Sequence, residues 1–324
     1  MEELVVIASN RGCILDNTIP VYFTLKDLGF NCVLKIVERN SNKDFSNDKR
    51  TFVGIFRDVK LENLPSSFYM INPEPANSWL GDMDEYVKKL KKATAILHYH
   101  DDEINEMLKY NKNVFFFPFS YHPCLINMYN IDIPINEDID VLFMGSSSKL
   151  GNYGEHRVNT LKMLKNTDLN LYVTGWDGNF VYNKEREIFM RRAKIILLIN
   201  FYENDLDTCR VTHLVSNKRF VLIDSWKGGK KLSKLFNDIP CAESNKLYDT
   251  LKYYLNNKEE RLRIIDKNFK YMSNNLKCKD FFKKIPYFNA NVDNHNNIEK
   301  KVEIENNNVI DKHLYLQDFN TETY

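Results

Sequence analysis

Several patterns that would settle the class of this 324-residue chain at once are missing from it. Six cysteines at 13, 32, 124, 209, 241 and 278 include no Cys-x-x-Cys pair and no zinc spacing, which argues against a zinc module or a disulfide scaffold. Cys32 and Cys241 lie in or beside apolar runs, so the expectation is buried, reduced thiols. No apolar run approaches the length of a membrane span. Asn is abundant, yet no Asn-x-Ser/Thr sequon occurs, and the acidic opening MEELVVIAS enters a strand instead of building a secretory signal. Both features point to a cytoplasmic protein. The net charge of +1, with charges interspersed, leaves no electrostatic footprint for nucleic acid. After the first apolar run the chain reads ASNRGCILDN, not G-x-G-x-x-G, and there is no P-loop; this argues against a nucleotide-sugar dehydrogenase or epimerase and against a P-loop NTPase.

What is present is an alternation of buried strands and amphipathic helices, read twice. In the first half, strands are expected at 4–9, 32–37, 51–56, 67–72, 95–100 and 114–119, with helices at about 19–28 and 78–92. The second of these helices carries Trp79, Met83, Tyr86 and Leu90 on one stripe, and Asp101-Asp102 is expected to cap a further helix. Residues 120–138 lack this rhythm and contain Pro123 and Pro134. The pattern then restarts, with strands at 140–145, 171–175, 195–199, 220–223 and 239–244 and helices at 155–164, 183–193, 207–216, 230–236 and 246–274. The fold class expected is therefore α/β, with two Rossmann-like, doubly wound parallel sheets facing across a cleft. The domains read as 1–122, a linker at 123–138, a second domain at 139–288, and a polar tail at 289–324 in which HLYLQDF is the candidate docking segment.

The stretch KIILLINFYENDLDTCRVTHLVSNKRFVLIDS, residues 194–225, carries the sharpest chemical signal. A buried strand ends at Asn200, an acidic loop follows, and Asp207 stands where a helix N-cap belongs with Arg210 three residues on. Open parallel sheets bind ligands just past the carboxyl ends of their strands. Free N–H groups and an Arg fork there suit phosphate, while an ionised Asp suits sugar hydroxyls. The plainer reading is a helix cap plus a surface ion pair.

Motif by motif, the second half resembles the carboxyl-terminal domain of GT-B glycosyltransferases, in particular the CgeB-like, glycosyltransferase family 1-like group. The matching residues are Phe143–Ser146, His156-Arg157, Asn200, Asp207 with Arg210, and the strand-ending Asp224. Asp207 replaces the group's usual Glu, and His156 stands where the group often has a second Arg. The first half is similar more loosely, through Asn72-Pro73-Glu74, His98-Tyr99-His100 and the Pro-rich strand end PFSYHP.

This resemblance implies sugar transfer from a nucleotide-sugar donor, UDP- or GDP-linked, to a sugar or glycan acceptor, with no metal or other cofactor required. Gly145, Ser146, Arg157, Asn200, Asp207, Arg210 and Asp224 would hold the donor, with Lys149 a weaker candidate for phosphate. An inverting enzyme also needs a general base from the other domain, for which Asp16, Glu74 and His100, with His98 beside them, are the candidates at strand ends. Each also has a structural explanation: a helix cap for Asp16, the flanking prolines for Glu74, the core for one histidine. Two alternatives stay open. One is a non-catalytic nucleotide-sugar or glycan-binding protein of the same fold. The other is a metal-dependent transferase using Asp205-Leu206-Asp207 as a DxD pair.

Overall fold

The fold is described from a computed structural model, which covers residues 3–10, 12–38, 41–76, 83–132, 136–146, 154–175, 179–202, 205–226 and 229–290. In the first half the elements run β1 (Leu4–Ser9), α1 (Gly12–Asp27), β2 (Cys32–Val37), β3 (Thr51–Gly54), β4 (Ser67–Asn72), α2 (Met83–Lys92), β5 (Ala95–His98), α3 (Ile104–Met107) and β6 (Val114–Phe116). The second half runs β7 (Ile139–Met144), α4 (Glu155–Lys165), β8 (Leu171–Thr174), α5 (Asn183–Arg192), β9 (Ala193–Leu198), α6 (Thr208–Ser216), β10 (Val221–Asp224), α7 (Lys230–Phe236), β11 (Cys241–Ala242), α8 (Leu247–Asn256), α9 (Lys258–Asn275) and α10 (Cys278–Phe282).

Six strands in the order β2-β1-β3-β4-β5-β6 form one sheet and five in the order β11-β10-β9-β7-β8 form the other. Every strand pair is parallel. Parallel sheets are covered on both faces, which is why β1 reads LVVIAS with every residue buried. In the second sheet the strand order reverses between β7 and β9, so their carboxyl ends border a crevice of the kind that binds ligands in doubly wound folds.

The two halves share apolar packing. One cluster joins Leu4, Val6 and Leu97 of the first sheet to Leu142, Ile196 and Val211 of the second half. Residues 276–288, grouped with the second domain in the sequence reading, cross back. Tyr121 and Leu276 share a backbone hydrogen bond of 2.8 Å, Phe282 packs edge-on against Phe117, and Phe288 packs against Phe30 and Tyr69. The segment expected as a linker is also packed, with Cys124, Leu125, Met128, Tyr129 and Ile131 buried against Leu15 and Ile19 of α1.

Several local expectations need correction. Helix α1 begins at Gly12 rather than near Ile19 and runs through Pro20, so Asp16 lies inside a helix and not in a loop. The stretch expected as one helix over 246–274 divides at Asn257 into α8 and α9. On α2, Tyr86 and Leu90 are buried but Met83 is exposed, and Trp79 lies outside the described residues. Cys241 is exposed, because it sits on the outermost, two-residue strand of its sheet, whereas Cys32 is buried as expected. The segment HLYLQDF and Lys149 fall outside the described residues.

Candidate functional site

The crevice between β7 and β9 is built on an arginine sandwich. Arg157, in the first turn of α4, is 3% exposed and lies between the rings of Phe143 and Phe201, at 5.4 and 5.2 Å. Its Nε donates to the Ile199 carbonyl at 2.8 Å and its Nη1 to the Ser146 carbonyl at 2.9 Å, tying the two strand ends together. Burial, reinforced by the charge of Arg210, pushes the guanidinium down to about 9. Arg157 is therefore neither a solvated helix face nor a free phosphate fork; it sets the positions of Ser146 and Asn200.

Arg210 is the more accessible cation. Asp207 caps α6 by accepting from the Arg210 backbone N–H at 3.1 Å, and its other oxygen meets Arg210 Nε at 3.0 Å. Both readings of this pair hold at once: it is a cap and an ion pair, and it stands at the mouth of the crevice. Nη1 of Arg210 donates to the Met144 carbonyl at 3.0 Å, which lays the side chain across Gly145. A Cβ on Gly145 would stand 3.0 Å from that Nη1, and the φ of +155° is itself a glycine conformation. Gly175 abuts the same turn, since a Cβ there would approach the Gly145 carbonyl oxygen to 2.4 Å.

Asp224 ends β10 fully buried. One carboxylate oxygen accepts from the backbone and side-chain N–H groups of Asn200, at 3.2 and 3.1 Å, and the other meets His156 Nε2 at 2.7 Å. Gly145, Ser146, Arg157, Asn200, Asp207, Arg210 and Asp224 thus gather at the carboxyl ends of β7, β9 and β10 and the amino ends of α4 and α6.

The opposite wall comes from the first domain. Glu74 follows β4, pairs with Arg57 at 3.1 Å, and accepts from the hydroxyl of Tyr202, in the loop after β9, at 2.8 Å. Burial raises the Glu74 carboxyl, with Asp207 and Asp205 adding to the rise; Tyr202 and Arg57 oppose it. Beside it, Tyr99 donates to Asp205 at 2.6 Å, and His100 Nε2 lies 3.8 Å from the other Asp205 oxygen. Burial lifts Asp205 to about 6. His98 and His100 are both buried, so the core does not claim only one of them.

Asp16 is engaged elsewhere. It accepts from Arg186 of α5 and from Tyr129, and Arg186 continues to Glu187, which pairs with His213 at 2.6 Å. Asp101 does not cap its own helix: its carboxylate accepts from the Lys231 and Leu232 backbone N–H groups of α7 at 2.7 and 3.0 Å. Asp205 and Asp207 point to different partners, Tyr99 and Arg210, so this DxD does not converge as a paired carboxylate site. Among the described residues, no group of three or more His, Cys, Asp or Glu is placed to hold a metal ion. No described helix is long and apolar enough to cross a membrane.

Tyr99, Tyr202, Arg57 and Arg186 were not among the candidate donor or catalytic residues, and Asp205 entered only as half of the DxD pair. The aromatic strand end His98-Tyr99-His100 and the run FYENDLD at 201–207 were the available signals, but their pairing across the interface has no local trace.

Comparison with known proteins bears on the fold. Residues 155–295 match a family model described as glycosyl transferase-like. A β-glucosyltransferase described as a DNA-modifying enzyme superposes with a TM-score of 0.53 at 14% identity, covering 87% of this chain and 99% of that one, and the T4 phage β-glucosyltransferase gives 0.51 at 14% identity over 88% and 99%. WaaG, a glycosyltransferase of lipopolysaccharide biosynthesis, gives 0.54 at 10% identity over 86% and 97%. TarM gives 0.51 at 12% identity over 84% and 58%. The chain has the GT-B glycosyltransferase fold. Its carboxyl-terminal half carries the sequence match, so in this GT-B chain Arg157, Asn200, Asp207, Arg210 and Asp224 of the crevice lie within the matched segment, while Gly145 and Ser146 precede it. No curated protein matches the chain by sequence.

Proposed function

We propose that this chain transfers a sugar from a nucleotide-sugar donor, UDP- or GDP-linked, to a hydroxyl of a sugar or glycan acceptor, without a metal ion. The observation that carries the reading is Arg210 laid over Gly145 at the capped amino end of α6, whose capping Asp207 lies near enough to Glu74 of the other domain to raise its carboxyl. The β-glucosyltransferase among the structural neighbours is described with uridine diphosphoglucose as its substrate, which supports a donor of this class.

In this reading the donor diphosphate binds at the α6 amino end, where the positive end of the helix dipole and the Arg210 guanidinium meet its charge. Arg157 holds the Ser146 and Asn200 loops that line it. Asp207, shorter than Glu, fixes Arg210 and leaves its outer edge for the donor. Glu74 takes the proton from the acceptor hydroxyl as the new C–O bond forms at the anomeric carbon. The bond to the diphosphate breaks, and its electron pair leaves with the diphosphate. A carboxylate lifted by burial suits that role. His100 is the second candidate base. Asp16, spent on Arg186 and Tyr129, serves the domain interface.

The test is a thermal-shift screen of UDP, GDP and their sugar conjugates, repeated with Arg210→Ala, followed by donor turnover with and without EDTA. Stabilisation by one nucleotide family that the variant loses supports the pocket. Glu74→Gln should cut turnover about 10²–10⁴-fold and spare nucleotide binding. Stabilisation without turnover, by any donor and acceptor tried, would favour a binding protein instead. Activity abolished by EDTA and restored by Mn²⁺ or Mg²⁺ would return the DxD reading.

A further inference from the structure

The loop that presents Glu74 is held by a buried chain of hydrogen bonds that begins on a different element. Glu103 Oε2 lies 3.0 Å from His98 Nε2 and also accepts the Ala76 backbone N–H at 2.8 Å. His98 Nδ1 lies 3.1 Å from Asn72 Nδ2. The Asn72 amide then brackets Glu74: its oxygen accepts the Glu74 N–H at 3.3 Å, and its nitrogen donates to the Glu74 carbonyl at 3.0 Å. Tyr86 adds a bond to the same Asn72 oxygen at 2.7 Å. His98 and Asn72 are fully buried.

The backbone decides every proton in this chain. A backbone N–H needs an oxygen and a carbonyl needs a donor, so Glu74 itself fixes which way the Asn72 amide points. Asn72 therefore donates to His98 Nδ1, which must be the unprotonated acceptor. An ionised Glu103 can only accept, so Nε2 carries the hydrogen. His98 is then the neutral Nε2–H tautomer, and burial lowers its pKa in the same direction, against the pull of Glu103.

We infer that Glu103, His98 and Asn72 form a positioning relay that sets the place and the solvation of the Glu74 carboxylate. The inference rests on the reading of Glu74 as the base for the acceptor hydroxyl. None of the three relay residues touches the reacting atoms. Glu103 holds the loop at both ends, directly at Ala76 and through His98 and Asn72 at Glu74. Without it, the 73–76 loop loses two anchors, and Glu74 gains water.

Glu103→Ala removes both bonds. Glu103→Gln keeps an oxygen that can accept both, since the same Oε2 takes them. Turnover with the best nucleotide sugar should fall at least tenfold in Glu103→Ala, with donor KM unchanged, and recover most of that loss in Glu103→Gln. The acid limb of the kcat profile should move downward in Glu103→Ala, because a better solvated Glu74 titrates nearer an ordinary carboxylate. In parallel, ¹⁵N NMR of the wild-type imidazole should find His98 as the neutral Nε2–H tautomer near pH 7, and amide exchange at Glu74 and Ala76 should quicken in Glu103→Ala. An imidazolium or Nδ1–H form of His98, or unchanged exchange at both amides, overturns the relay. So does an unchanged kcat and acid limb in Glu103→Ala. If the wild type turns over no donor, the glycosyl-transfer reading fails, while the tautomer and the two amides still decide whether the relay orders the loop.

Discussion

Tyr99 of the first domain donates its hydroxyl to Asp205 of the second at 2.6 Å, and that contact brings a carboxylate into a buried interface. Burial lifts Asp205 to about 6 from an ordinary 3.8. The sign follows from linkage: folding disfavours the ionised form, so the cost is absent below about pH 4, grows as pH rises, and is complete above about pH 6. Asp205→Asn should therefore raise the melting temperature at pH 7–8 and leave it nearly unchanged at pH 4. The rise from 3.8 to about 6 bounds the gain at about 3 kcal/mol, and the residue's partial exposure places it nearer 1–2 kcal/mol. Thermal denaturation from pH 4 to 8 checks this; an effect independent of pH would mean that Asp205 does not titrate in the folded protein.

Gly145 is where a single carbon should separate binding from stability. Its φ of +155° strains any side chain, and a Cβ would lie 3.0 Å from Arg210 Nη1 and 3.3 Å from Phe143 Cζ. Gly145→Ala should cost on the order of 1–3 kcal/mol of stability. Its larger effect should be on the position of Arg210, weakening binding of the donor nucleotide about tenfold or more by calorimetry. Undiminished affinity would mean that the diphosphate does not sit over Gly145.

Asp16 and Arg186 supply a cycle that tells a structural pair from a catalytic base. Their contact joins α1 to α5 in a buried setting, with Tyr129 on the other oxygen of Asp16. Asp16→Ala leaves Arg186 with an uncompensated share of charge and should cost about 3–5 kcal/mol. Asp16→Leu with Arg186→Met should cost clearly less than the sum of the single changes. If Asp16 acts through pairing alone, turnover in the double variant should return toward wild type, measured well below its melting temperature. A turnover loss that the second change does not relieve would assign Asp16 to the chemistry.

These cases mark what the sequence could carry. β1 at 4–9, the start of α4 at Glu155 and the Asp207 cap of α6 were legible because each rests on local chemistry: a run buried on both faces, a helical period, an oxygen three residues from an N–H. The first turns of α1 were not. Asn10, Arg11, Asp16 and Asn17 read as loop residues, yet Asp16 finds its partners 113 and 170 residues away, and Leu15 and Ile19 bury one face of the helix. Arg157 read as a cation for the donor rather than a buried one because the two rings that enclose it, Phe143 in β7 and Phe201 after β9, are far apart in the sequence. The donor-side candidates converge because strand ends in a parallel sheet share one edge, a rule of topology that spacing reveals. The acceptor-side partners come from domain docking, which spacing does not encode.

Asp101 shows what that docking does to a local rule. Its run, Asp-Asp-Glu, has the composition of a helix cap, yet it caps α7 in the other domain, where Gly229 stands at the N-cap without a side chain. A Cβ on Gly229 would reach to 2.4 Å from the carboxylate oxygens of both Asp101 and Asp102, so only glycine admits this approach. Asp101→Ala removes the cap and Gly229→Ala expels it, each at about 1 kcal/mol. Because both changes break one contact, the double variant should cost little more than either single change. Small-angle scattering of the ligand-free protein should then show a larger radius of gyration in both variants if the clasp helps hold the domains together. An unchanged radius with the same loss of stability would confine Asp101 to capping α7 and leave closure to Tyr99–Asp205, Tyr202–Glu74 and the apolar cluster.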